Sequence, residues 1–184
     1  MGSMAWGLRV AETGDAARVG DGDDRAFDAL AGRELAAAYR TALLLLGDAA
    51  EAEDAVQDAL LRAWQRWDQL RDPDRAGAWF GRILLNACRD RLRAPQREVR
   101  WIGDARAADA LSVYAEREAL GAAMRSMNAD QRIVLVLRFY LDLSVEEIAA
   151  RTGAPEATVR SRLRLALSAA RAAYEAQERA GGRR

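Results

Sequence analysis

Residues 144–166, SVEEIAARTGAPEATVRSRLRLA, decide the fold because they read as two helices about a tight turn. Ser144 with Glu147 three residues on forms a capping box, in which the hydroxyl and the carboxylate each satisfy an otherwise orphaned backbone N–H. Ile148 and Ala149 face inward one turn later. Thr152-Gly153 stops the first helix, since glycine takes the left-handed C′ conformation without a Cβ clash. Pro155 then presets φ for the first turn of a second helix. In that helix Val159, Leu163, Ala166 and Ala170 recur at helical spacing as a buried stripe. Ala157, Ser161 and Arg164 face the other way, flanked by Thr158, Arg160 and Arg162. A supporting helix, a short turn and a helix with a small, polar, Arg-rich outer face make a helix-turn-helix, a DNA-reading element.

The plain alternative is a helical hairpin whose arginines are a solvated face. Arg160, Arg162 and Arg164 fall within five residues, and no acid occurs between Ala157 and Tyr174. An exposed helix kept soluble by charge mixes both signs, so the one-signed stretch favours a polyanion.

Composition limits the function. A chain of 184 residues that is 51% apolar can build one or two small cores. Three prolines and a preponderance of Ala, Leu, Arg and Glu favour helix throughout. There is no histidine and one cysteine, Cys88, which excludes disulfides, Cys/His zinc sites and Ser-His-Asp triads. Cys88 lies among Leu84, Leu85 and Leu92 and reads as a small core residue. No Gly-rich phosphate loop occurs. Neither an enzyme nor a cofactor or metal site is expected. No run approaches the roughly eighteen apolar residues of a membrane span, and the start lacks a secretory pattern. The opening Met-Gly-Ser-Met reads as a cloning remnant ahead of Met4. A cytoplasmic location with no membrane insertion is expected.

The net charge of zero conceals an asymmetry. Residues 1–60 carry 5 Arg against 12 acids, a balance of −7; residues 61–106 carry 11 against 6, or +5; residues 107–184 carry 12 against 10, or +2. All 28 basic residues are arginine, which a GC-rich codon bias explains as well as phosphate binding does. The asymmetry points to an acidic face for one partner and basic faces for another, nucleic acid among the candidates.

Along the chain, residues 1–22 are Gly/Asp-rich and aperiodic and read as a mobile tail. Helical periodicity begins near Asp24, with Phe27, Leu30, Leu35, Ala38, Ala42 and Leu46 on one side. Gly47 ends that helix, and Asp48 with Glu51 caps the next. A third helix spans roughly Arg75 to Arg93. Residues 94–112 lose the pattern and read as a flexible linker whose nineteen residues can stretch to ~60 Å. Helices resume near Val113, with Asn128 as N-cap for Ala129–Phe139. The expected architecture is all-α: two small helical domains, 23–93 and 113–177, joined by the linker, the second containing the helix-turn-helix, with 178–184 as a C-terminal tail. No internal repeat is present.

Two further faces carry chemistry. In the helix read over Ala49–Trp67, Ala52, Val56, Ala59, Ala63 and Trp67 form the core stripe. Asp54, Gln57, Asp58 and Leu61 lie opposite at i, i+3, i+4 and i+7, with Trp64 alongside. An acidic stripe is commonly just solvated, but an apolar residue ringed by acids suits docking onto a basic protein surface. In the next helix Arg82, Asn86, Arg89 and Arg93 share one side, with Trp79 a turn before them, while Ala76, Phe80, Ile83, Leu84 and Ala87 pack the other. Aligned arginines neutralise phosphates and an indole offers a stacking surface for unpaired bases. Core packing is the competing reading for Trp79.

The motifs DAVQDALLRAW (54–64), AWFGRILLNACRDRLR (78–93) and SVEEIAARTGAPEATVRSRL (144–163) resemble the second and fourth conserved regions of extracytoplasmic-function (ECF, group 4) bacterial RNA polymerase sigma factors. The resemblance covers about residues 24–93 and 113–175, in the family's order. It implies that Asp54, Gln57, Asp58 and Leu61 dock on the clamp helices of the polymerase β′ subunit. Trp79, Arg82, Asn86, Arg89 and Arg93, with the Leu70–Gly77 loop, would capture the opened minus-ten element of promoter DNA. Ala157, Thr158, Arg160, Ser161, Arg162 and Arg164 would meet the minus-thirty-five element in the major groove. The linker would run through the polymerase toward the RNA exit path, and a cognate anti-sigma factor is an expected partner. The chain departs from the family at Ala157, where glycine is frequent, and at Leu165 and Leu167, where basic residues are usual. A decoy that sequesters an anti-sigma factor would be expected to lose the basic residues of both DNA faces, and here they remain. A stand-alone regulator with a helical effector domain would leave the Asp54–Leu61 face unexplained.

Overall fold

The computed structural model describes residues 21–94 and 119–181, with side chains over 24–94 and 119–179. Most of the expected N-terminal tail, most of the linker and the onset of helix near Val113 lie outside the described residues, while residues 21 and 22, read as tail, already belong to the first helix. The described residues form seven α-helices, two single-turn 3₁₀ segments and no strand.

Helix α1 (Asp21–Leu46) stops at Gly47, whose φ of +74° places the chain in the left-handed region while its N–H still donates to the Leu43 carbonyl at 2.8 Å. Asp48 caps α2 (Ala49–Trp64), its carboxylate accepting the Glu51 N–H at 2.9 Å. Ala52, Ala55, Ala59 and Ala63 are completely buried. Their small side chains let α2 lie close to its neighbours, and the volume is filled from outside by Leu30 and Leu45 of α1 and Phe80 and Leu84 of α3 (Ala76–Arg93). Thr41 is buried beside them and satisfied by donating to the Ala37 carbonyl at 2.8 Å.

Three expectations are corrected here. Leu35 is 45% exposed, since five residues turn it about 140° away from Leu30 on the helix. Helix α2 ends at Trp64 rather than Trp67, which sits in the 3₁₀ turn Trp67–Gln69. Trp64 belongs to packing, not to the acidic face: it meets Phe27 edge-on at 5.1 Å, Phe27 meets Trp67 at 5.3 Å, and Trp67 meets Trp79 at 6.1 Å. These rings close the open end of the three-helix unit. A second 3₁₀ turn, Pro73–Arg75, leads into α3, with Asp72 accepting the Asp74 N–H.

In the second unit the described part of α4 (119–126) leads to Asn128, which forms a full capping box with Gln131 at the start of α5 (Ala129–Phe139). Arg132 is buried there and donates to the Met127 carbonyl at 3.2 Å, closing the α4–α5 turn; burial, then the nearby Arg125, holds its pKa below the ordinary arginine value. Ile133, Val134, Val136 and Leu137 are buried around more than one face of α5, because it packs against α7 on one side and against α1 and α3 on another. Helices α6 (Val145–Thr152) and α7 (Glu156–Gly181) follow. Helix α7 runs on into the segment read as a C-terminal tail. The two units share a seam, formed by α3 against α5 and α6 and by α1 against α5.

Candidate nucleic-acid interface

Local signals in the sequence build the helix-turn-helix. The Ser144 hydroxyl accepts the Glu147 N–H at 3.2 Å, and a Glu147 carboxylate oxygen accepts the Ser144 N–H at 2.7 Å. The hydrogen bonds to Ser144 hold the Glu147 carboxyl below the usual glutamate range. Gly153 takes φ +70°, and its N–H donates to the Ala149 carbonyl. Pro155 stands just before α7, its carbonyl accepting the Val159 N–H. Ile148, Val159 and Ala166 are completely buried, and they fix the angle at which α7 leaves the turn.

The free face of α7 is as the spacing requires. Ala157, Arg160, Ser161 and Arg164 are exposed, while Thr158 and Arg162 are half-buried at its edge. Arg160 pairs with Glu156 one turn earlier. Arg164 makes no ion pair or hydrogen bond among the described residues. Arg162 instead turns inward and donates to Asp130 of α5 at 2.9 Å. Leu165 and Leu167 are exposed beyond this face.

On α3, Arg82, Asn86, Arg89 and Arg93 do share one side, but that side faces the second unit. Arg82 donates to the Ala150 carbonyl of α6 at 3.0 Å. Arg89 donates to Asp130 at 2.9 Å and to the Asn86 side-chain oxygen at 2.6 Å, and Arg93 donates to Asp130 at 3.2 Å. Trp79 is half-buried and packs edge-on against Trp67, so its ring belongs to the aromatic cluster and presents only part of its surface.

The α2 face is divided. Asp54 and Gln57 are exposed, and Leu61 stands 56% exposed between them and the end of the helix. Asp58 is not free: Arg91 of α3 donates to it at 2.8 Å and also pairs with Glu51 at 3.3 Å. Arg91 thus clips α3 to α2. Cys88, buried beneath it, has its thiol pushed up to about 12 by burial, an effect that Arg91 only partly offsets, so it is inert as a nucleophile at neutral pH. Among the described residues no group of acids, histidines or cysteines could hold a metal ion, and no helix is long and apolar enough to cross a membrane.

Arg91 and Asp130 are the residues that sequence reasoning passed over. The partners of Arg91 lie 33 and 40 positions earlier, and those of Asp130 lie 32 to 41 positions away, separations at which helical periodicity says nothing. The excess of arginine over acid in residues 61–106 was the one available hint that an acid would be brought in from elsewhere.

Residues 30–98 match the family model for Sigma-70 region 2, and residues 117–169 match the model for Sigma-70 region 4. The chain is 34% identical over 145 residues to the RNA polymerase sigma-E factor of Streptomyces antibioticus, covering 77% of this chain and 81% of that protein. It is 35% identical over 151 residues to the ECF RNA polymerase sigma factor SigL of Mycobacterium tuberculosis, covering 78% and 85%. Among solved structures, the sigma factor RpoE in complex with the anti-sigma factor NepR from Bartonella quintana aligns with a TM-score of 0.61 at 27% identity, over 81% of this chain and 96% of that one. CnrH in complex with the cytosolic domain of CnrY aligns with a TM-score of 0.62 at 28% identity, over 83% and 90%. With both regions in order on one all-helical chain, and about a third of its aligned residues shared with full-length members, the chain belongs to the extracytoplasmic-function sigma factors of bacterial RNA polymerase.

Proposed function

We propose that the chain binds core RNA polymerase and directs promoter-specific initiation, with its two helical units dividing the work. The observation that carries this reading is the outer face of α7, where Ala157, Arg160, Ser161 and Arg164 stand exposed on its first three turns with one acid, Glu156, among them. The start of a recognition helix lies closest to base edges in the major groove, and small residues there let the helix enter deeply. Arg82, Asn86, Arg89 and Arg93 would engage the opened minus-ten strand once α3 is separated from α5 and α6. The part of Trp79 that remains accessible would border that strand. Asp54, Gln57 and Leu61 would meet the β′ clamp helices, with Asp58 contributing through its pair with Arg91. The anti-sigma complexes among its structural neighbours support including an anti-sigma factor among its partners. The basic residues kept on both faces favour this reading over that of a decoy without promoter recognition.

The polymerase contact is tested by co-purification with core enzyme. Asp54→Arg combined with Leu61→Asp should abolish co-purification while far-UV circular dichroism stays unchanged, because both side chains are exposed and Asp54 has no partner among the described residues. Asp58 is left in place, since reversing its charge would also break the clip made by Arg91. Undiminished co-purification would refute the assignment of this face.

A further inference from the structure

A cleft of about 460 Å³, open on one side to solvent, lies where the end of α3 meets the α4–α5 turn. Its volume is within the ordinary range of small-molecule sites. Leu92 and Met127 give it apolar surface, Arg93 stands on the α3 side, and Arg125, Asp130 and Arg132 stand on the other. Three arginines against one aspartate leave this lining with a charge of +2. Asp130 cannot neutralise the others, because it accepts Arg89 and Arg162 from outside the cleft as well as Arg93.

Arg132 is the decisive residue. It is 5% exposed, and its hydrogen bond runs from Nε to the Met127 carbonyl at 3.2 Å. A guanidinium carries five N–H donors. The four on its two terminal nitrogens have no partner among the described residues, and no carboxylate pairs with the charge. Arg125 adds a like charge nearby. A buried charge is costly unless it is paired and hydrogen-bonded. Water reaching the cleft can accept from these donors but cannot balance the charge. Closing the α4–α5 turn takes one donor, so the charge and the terminal fork are surplus to the fold.

We propose that this cleft binds a small, freely diffusing phosphate-bearing anion, with Arg132 at its base and Arg93 and Arg125 flanking it. Phosphate oxygens match the guanidinium fork in both geometry and charge. The volume exceeds that of one phosphate group and suits linked phosphates or a nucleotide-sized ester. The DNA backbone is a poorer source of the same group. A duplex is a broad convex surface that meets protruding side chains, whereas Arg132 lies beneath the protein surface. The inference stands apart from promoter recognition and holds whether or not α7 reads DNA.

The test uses the full chain, with pyrophosphate free of divalent metal as the probe. Saturation should shift the Arg132 Nε–Hε resonance and raise the thermal midpoint by roughly 5–10 °C at a hundred times Kd. Arg132→Lys keeps a charge and a donor for the Met127 carbonyl but loses the fork, and Arg125→Gln removes an exposed charge at the rim. Each should weaken binding by about tenfold or more in calorimetry, the worth of a charged hydrogen bond. Arg171→Gln, which removes an 83% exposed guanidinium from α7, should leave binding unchanged. Equal weakening by Arg171→Gln, or an Arg132 resonance that does not move, would show unspecific attraction and overturn the site. If Arg132→Lys fails to fold, Arg125→Gln and the wild-type resonance decide. Mixed-sequence duplex DNA should leave bound pyrophosphate in place; displacement by the duplex would give the site to the DNA backbone and overturn the proposal.

Discussion

Arg164→Ala removes a guanidinium that stands exposed on the third turn of α7 and holds no ion pair or hydrogen bond among the described residues. Its loss therefore costs the fold little. Surface substitutions away from special features stay within about 0.5 kcal/mol, and alanine is itself a good helix former, so the thermal midpoint should move by less than ~2 °C. Any larger effect on promoter binding belongs to the DNA contact. A guanidinium reading a base edge discriminates by ~1–3 kcal/mol, roughly 5–150-fold at one base pair. One that only neutralises a phosphate lowers affinity for all sequences alike and makes the salt slope shallower by about 0.9. Selection of upstream elements from a randomised promoter library, with wild-type and Arg164→Ala holoenzymes, separates the two. Relaxed preference at a single upstream position is expected. Identical preferences would show that Arg164 does not read sequence. Arg162→Ala is the contrast, because Arg162 is bound to Asp130, which keeps Arg89 and Arg93 as partners. Its removal should cost about 1 kcal/mol of stability, between an exposed and a buried pair, and leave base preference unchanged.

Alanine at Arg82, Arg89 and Arg93 together should reduce open-complex formation more than initial promoter binding. A pre-melted template should restore most of the loss, and no restoration would mean that these residues act only structurally. Gly153→Ala should cost ~1–2 kcal/mol by thermal denaturation, because an added Cβ meets nothing within 4 Å and the whole penalty is that of the left-handed conformation; an unchanged midpoint would refute the strain. The Glu147 carboxyl lies below its unfolded value, so its contribution to the α6 cap is full above the ordinary glutamate range and is lost as pH falls through the depressed folded value. The Ser144 amide resonance should titrate in that acid window in the wild type and not in Glu147→Gln, whose amide oxygen still accepts the bond; titration that persists in the variant would contradict the assignment.

What was legible in the sequence is what is encoded within four or five residues. Although the Glu51 carboxylate pairs with Arg91 instead of completing a capping box with Asp48, the capping pair Ser144/Glu147, the Asp48 and Asn128 caps and the left-handed stops at Gly47 and Gly153 all stand where spacing places them. So do the outer face of α7 and the shared side of Arg82, Asn86, Arg89 and Arg93. Counting apolar side chains without their angle places Leu35 on the wrong face. Helical periodicity divides Trp64 and Trp67 between two faces of one helix, whereas Phe27 collects both into one aromatic cluster. The role of Asp130 was invisible for a different reason: it depends on how two helical units meet, and a solvated acid in a first helical turn looks the same in sequence as one that holds three arginines. The Arg89–Asp130 pair has no local signature at all.

The central claim, that this chain gives core polymerase a promoter specificity, is tested most directly by run-off transcription. Core RNA polymerase from the source organism would be supplied with the purified chain and a promoter library. Transcripts that depend on the chain, start at defined sites and share one upstream and one downstream sequence element are the expected result. A chain that binds core enzyme yet yields no dependent transcripts, or yields starts without a common element, would contradict the account.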